Sequence, residues 1–226
     1  MKSHRDLLPR VTGAVFFTAY AAYIAVLQRN EIIQAPGPIA IEPLVRRGFV
    51  VLIFLLMASS YVLRRPARVR ATGFRERVFP FVCAVLPIAL NESSALFAPF
   101  AGLPSLVTER LADGLLFLGN ALSVWGLIYL RRAFSIMAEV RDLVSRGPYR
   151  FVRHPIYEGQ ILATTALWLL SPSWGSTLLL LVFIAAQLAR ASIEESKLEA
   201  SLPGYKRYRE RTGAYLPRLV GKHPTP

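Results

Sequence analysis

Apolar residues fall in six blocks, at 11–28, 48–63, 78–90, 112–130, 156–170 and 174–189, separated by polar stretches. None alternates with the period of two that a membrane strand requires, so helices are expected and a barrel is not. Each block approaches the roughly 20 residues that carry a helix across a hydrocarbon core of about 30 Å. The third block is short and holds Pro80 and Pro87, so it is expected to be kinked, extended beyond Asn91 or only partly inserted. The fold class predicted is an all-α integral membrane protein of about five to six transmembrane helices, ending in a helical hairpin and an amphipathic tail.

Composition agrees with this pattern. Of 226 residues, 54% are hydrophobic, and the mean hydropathy is positive, which is high for a chain solvated only by water. The net charge of +13 is confined to particular segments. Six arginines lie in 64–77 (Arg64, Arg65, Arg68, Arg70, Arg75, Arg77), six in 131–154 (Arg131, Arg132, Arg141, Arg146, Arg150, Arg153), and seven basic residues follow position 190. The turn Ser171-Pro172-Ser173 has none. Under the positive-inside rule the basic segments and both chain ends face the cytoplasm, and a nucleic-acid partner is not expected. Loop 29–47 carries Arg29, Arg46 and Arg47, so the first hairpin is the least determined part of the topology. Ala19-Tyr20-Ala21 lies inside an apolar run that continues to Leu27, so no cleaved signal peptide is expected. Cys83 stands alone and reads as a packed or lipid-facing residue. The division expected is 1–110 as N-terminal membrane helices and 111–226 as a core, with a cytoplasmic loop at 131–154 and a tail at 191–226.

The loop holds more than an orientation signal. Gly147-Pro148 marks a turn, and Pro155 suits the first position of a helix, which places His154 at its N-cap. A helix start at this depth offers unpaired N–H groups to an anion such as a carboxylate. Gly159, one turn in, leaves room for a flat ligand or for another backbone. Tyr149 and Tyr157 taken singly would be interfacial anchors. The last apolar block lacks a breaker up to Leu202, so its helix is predicted as a rod of about 43 Å that overruns the hydrocarbon. On it Arg190 and Glu194 are four apart and share a face, whereas Glu195 is turned away by about 100°. Tyr205, Tyr208, Arg211 and Thr212 recur with helical spacing after Pro203-Gly204, as a segment that lies on the membrane or lids a pocket.

Gly147-Pro148-Tyr149-Arg150-x-x-Arg153-His154-Pro155-x-Tyr157-x-Gly159, followed by Glu194-Glu195-x-x-Leu198 and Gly204-Tyr205-x-x-Tyr208, resembles the isoprenylcysteine carboxyl methyltransferases and the related phospholipid N-methyltransferases. The resemblance covers residues 131–217 and implies S-adenosylmethionine as methyl donor, bound where the loop, hairpin and tail meet. It further implies cofactor contacts from Leu143, Val144, Tyr149, His154 and Tyr157, with backbone groups of Pro155 and Ile156, Gly159 beside them, and an acidic contact from Glu195 with Glu194. Arg190 is similar to the family's arginine near the acceptor carboxylate, although its spacing to Glu195 is one residue longer here. Arg190 or Arg153 would orient the acceptor in the catalytic step.

The residue types suit that chemistry. A donor bearing a sulfonium, an ammonium, a carboxylate and an adenosine needs an acid, helix-end N–H groups and aromatic walls, and no metal ligands are predicted. Methyl transfer depends mainly on positioning and dehydration of the acceptor. A lipophilic acceptor would enter from the bilayer, most simply for carboxyl O-methylation of an isoprenylcysteine-like or other lipophilic carboxylate. The competing readings are phospholipid or small-molecule N-methylation, an NADPH-dependent sterol-type reductase, and a non-catalytic lipid-binding membrane protein. The seven-residue separation of Gly119 and Gly126 departs from the Gly-x-Gly common in N-methyltransferases.

Overall fold

The computed structural model describes residues 4–34, 41–93 and 106–218. Seven α-helices follow one another among them: α1 (His4–Gln34), α2 (Ile41–Leu63), α3 (Gly73–Ser93), α4 (Leu106–Leu130), α5 (Pro155–Leu170), α6 (Trp174–Ser201) and α7 (Tyr205–Arg211). All six apolar blocks lie inside helices, and the chain is an all-α integral membrane protein. Four stretches are long and apolar enough to cross a bilayer: Leu7–Gln34, Leu44–Leu63, Leu106–Ala133 and Trp174–Ser201. The third block does extend past Asn91, to Ser93, with Pro80 and Pro87 inside the helix. At 16 residues α5 measures about 24 Å, shorter than a hydrocarbon core, and it depends on its neighbours for support.

That support comes chiefly from α4. A Cβ at Gly159 would collide with Gly119 O and Ser123 Oγ, and one at Gly119 with Gly159 O. Two glycines facing each other thus let the backbones touch, the packing that small residues allow where lipid supplies no hydrophobic drive. Ser173 caps α6 by accepting from Ser176 N at 3.1 Å, which turns the α5–α6 hairpin tightly. The other faces of the bundle are apolar and bare: Val15, Val62, Leu118 and Leu178 are all more than half exposed, as lipid-facing residues should be. The apolar core runs through Phe17, Met57, Tyr61, Leu127, Phe134, Ile136, Ile156 and Ala191, joining α1, α2, α4, α5 and α6.

The three Arg-rich segments meet at one end of this bundle. Segment 64–77 pairs with the loop after α4 through Val140 N to Val69 O at 2.9 Å and Ala138 N to Glu76 O at 2.9 Å. Asp142 receives Arg65 and Arg68 at 2.7 and 2.9 Å. Lys197 of α6 reaches Glu76 at 2.5 Å. Gly204, with φ at 91°, breaks α6 from α7. The tail then turns back, and Arg153 N and His154 N donate to Gly213 O and Ala214 O at 2.9 and 3.1 Å.

Candidate functional site

At the basic end, the loop, α5, α6 and α7 enclose a cavity with about 1080 Å³ of non-atom space, including its open mouth. Its walls carry most of the residues singled out in the sequence: Leu143, Val144, Tyr149, Arg153, His154, Ile156, Tyr157, Arg190 and Glu194. Pro155, Gly159 and Glu195 are not in the wall. Pro155 is buried at the first position of α5 behind His154. Gly159 faces α4, so of its two expected uses the structure displays the close approach of another backbone.

The two adjacent acids serve different neighbours. Glu194 accepts from Arg190 Nε at 3.2 Å and from the Tyr157 hydroxyl in a very short hydrogen bond. Arg190 lies over the Tyr157 ring at 4.7 Å and donates to Ile136 O at 2.8 Å, so its Nε and Nη2 are engaged while the residue is only 4% exposed. Glu195 sits one layer back. It accepts from Arg153 Nε at 2.7 Å, and His154 Nε2 lies 2.9 Å from the same oxygen, which makes Nε2 the protonated ring nitrogen. The His154 ring is stacked on Tyr157 at 5.3 Å with an interplanar angle of 7°. Glu195 therefore fixes the orientation of two wall residues rather than forming wall itself.

Arg153 also donates to Arg209 O at 3.1 Å and, in a very short bond, to Thr212 O. Tyr208 donates to Tyr149 O at 2.7 Å, and burial raises the Tyr208 phenol to about 12, so it stays a donor at any physiological pH. Tyr149 is pushed well above the usual phenol range, first by burial and then by Tyr208. The hydrogen bond from Arg65, aided by Arg68, holds the Asp142 carboxyl below its ordinary range. Lys197 does the same for Glu76. The loop is thus pinned to segment 64–77 by carboxylates that remain charged.

This donor set suits S-adenosylmethionine. Glu139, Asp142 and Glu194 put carboxylates in the wall, the aromatic rings of Tyr149, Tyr157 and Tyr205 offer flat apolar surface, and α5 starts beside it with no side-chain cap on its first turn. Among the described residues no three His, Cys, Asp or Glu side chains gather as a metal site. Cys83 is packed at 1% exposure, its thiol 3.9 Å from Ala186 O.

A second, larger space, about 1950 Å³ including its open side, lies within the bundle. Phe16, Phe17, Tyr20, Phe54, Leu127 and Leu167 are among its walls. Met57, Ala84, Ile136, Ile156 and Gln160 line both spaces, so the two are neighbours across a shared wall. Sequence reasoning missed Gln160, which accepts from Gln187 at 2.5 Å. The signal was present: two amides inside apolar helical blocks, where polar side chains are costly, mark a functional position. Lys197 and Arg141, also in the first cavity's wall, were missed as well, and nothing in their local sequence separates them from the other basic residues.

Fold and cavity together define an all-α membrane protein whose C-terminal helices frame one cavity beside a second, larger space in the bundle. Residues 107–202, which contain α4, α5, α6 and the loop between them, match the family model of phospholipid methyltransferases. That family and the isoprenylcysteine carboxyl methyltransferases share one membrane methyltransferase superfamily, and the match supports a methyltransferase using S-adenosylmethionine. The chain is also similar to the cobalt-zinc-cadmium resistance protein CzcN of Cupriavidus metallidurans, 35% identical over 78 residues that make up 34% of this chain. The match spans 36% of that protein's length.

Proposed function

We propose that the chain is a membrane-embedded methyltransferase that moves a methyl group from S-adenosylmethionine to a lipophilic acceptor, with carboxyl O-methylation as the leading reaction. The observation that carries this reading is the juxtaposition of a cavity whose wall bears Arg153, Arg190 and Glu194 with a larger aromatic-lined space, the two sharing Gln160 and Ile156 as wall residues. A donor can reach the first from the basic end, and an acceptor with an apolar tail can occupy the second. S-adenosylmethionine supplies an electrophilic methyl group on its sulfonium. Glu194 places a negative charge where that donor's cationic groups would lie, while Tyr157 and Arg190 hold the carboxylate's direction. Arg190 and Arg153 keep permanent positive charge and can orient an acceptor carboxylate without transferring a proton to it. The apolar walls strip water from the acceptor, and the junction sets its approach. In this reading residues 111–226 form the catalytic core, and the basic end faces the cytoplasm.

N-methylation of a phospholipid or other amine is the second reading, favoured by the family model that residues 107–202 match. One pair of experiments tests both. Purified protein is expected to bind S-adenosylhomocysteine in calorimetry and to transfer labelled methyl from the donor into a panel of an N-acetyl prenylcysteine, phosphatidylethanolamine and total membrane lipid. A base-labile product supports an ester and a base-stable one the amine. Absence of binding overturns both readings.

A further inference from the structure

We propose that Arg10, Arg64 and Arg141 form an oxyanion site that takes a phosphate group at the basic end of the bundle, against the Tyr61 ring. Three separate elements bring these side chains together. Arg64, just past the end of α2, holds its guanidinium 4.6 Å from the Tyr61 ring centre. Arg10 lies one turn before Gly13 on α1, where the space a Gly13 side chain would need is filled by the same Tyr61 ring, and Arg10 is near enough to act on the Arg64 charge. Arg141, in the loop after α4, donates to Arg65 O at 2.8 Å and to Glu139 at 2.7 Å.

Among the described residues their charge is not balanced. Arg64 and Arg141 are 5% and 3% exposed. Glu139, the one carboxylate close enough to act on Arg64, is shared with Arg141 and Ser135. Arg141 Nη1 and Arg10 Nε are shielded from solvent with no hydrogen-bond partner among the described residues. Burial opposes the Arg64 charge, and Arg141 and Arg10 oppose it further. Arginine does not relieve such repulsion by losing its proton. Among the described residues, three guanidiniums against one carboxylate leave two positive charges and unused N–H donors in a sheltered place, which a tetrahedral oxyanion satisfies through charge-assisted hydrogen bonds. Arg10 and Arg64 lie outside the wall of the donor cavity and only Arg141 is shared with it, so the site stands whether or not the chain transfers methyl groups. The phosphate belongs either to a lipid headgroup or to free phosphate ion.

The test is thermal melting of the full chain in neutral detergent with added phosphatidylglycerol or inorganic phosphate, with retained lipid counted by native mass spectrometry. Saturable stabilisation of the unsubstituted protein by phosphatidylglycerol alone assigns the headgroup; equal stabilisation by phosphate assigns the free ion. The Arg10→Gln/Arg64→Gln protein should lose affinity by on the order of tenfold or more, the scale of a lost hydrogen bond to a charge. Arg146→Gln/Arg150→Gln, which removes two exposed charges at the same end, should match the unsubstituted protein. If the double variant does not fold by circular dichroism, Arg10→Gln alone decides, with a weakening in the same direction. No stabilisation from either phosphate source, or equal stabilisation in all variants, overturns the site.

Discussion

Glu194 and Glu195 are adjacent in sequence and differ in what they touch, and that difference governs how each substitution should behave. Glu195 is tied to Arg153 and His154, so Glu195→Ala frees two side chains that line the cavity and leaves one guanidinium unpaired in a largely buried place. Glu199, more than a third exposed and bonded only to Arg209, touches nothing in the cavity. In calorimetry with S-adenosylhomocysteine, Glu195→Ala should weaken binding by roughly tenfold or more, and Glu199→Ala by less than about twofold. Equal losses would place the donor on another face of α6. Much at this scale was legible beforehand: His154 as N-cap, Pro155 at the helix start and the Arg190–Glu194 pair follow from local spacing rules. What spacing could not supply was the partner of Glu195, because Arg153 is 42 positions away and meets it only when α5 and α6 pack.

Between elements, the decisive contact is the crossing of α4 and α5. Gly159 was read from sequence as either a ligand approach or a packing position, and its period within α5 does not distinguish these; the answer depends on Gly119, which lies in a different helix. Gly159→Leu forces the two backbones apart. It should destabilise the protein by about 1–3 kcal/mol, the usual cost of overpacking, or more, because backbone rather than side chain is displaced. The measurement is thermal or denaturant unfolding in detergent, against Gly114→Leu on α4, where nothing crowds the added Cβ. If both leucines are tolerated alike, the helices do not touch as described. The loop after α4 was expected to carry chemistry, and it does line the cavity, yet its pairing with segment 64–77 through Val69 and Val140 has no local signature. Met57 and Ala84 likewise bring α2 and α3 into the cavity wall, although nothing in their own blocks differs from generic membrane helix.

For the molecule as a whole, the charge pattern and the helix lengths constrain one another. α6 has 28 residues, about 42 Å, so one end must leave the hydrocarbon, and the acids, Lys197 and the tail all lie at that end. Segment 64–77, loop 131–144 and the tail meet there, while the Ser171–Ser173 turn, free of charge, lies at the other end of the α5–α6 hairpin. Positive charge kept on one side of the membrane predicts that the basic end faces the cytoplasm. In a Cys83→Ser background, Ser145→Cys should react with a membrane-impermeant maleimide only after the cells are opened. Trp174→Cys, at a position 82% exposed, should react in intact cells. Labelling in the reverse order would turn the protein over and put the cavity at the basic end on the side opposite the one proposed. Labelling of both in intact cells would mean that α5 does not cross. Since α5 is short and packs on α4 at the Gly119–Gly159 contact, adding Gly159→Leu to both cysteine variants extends the test: loss of the sidedness in that background alone would mean that the contact carries the hairpin through the bilayer.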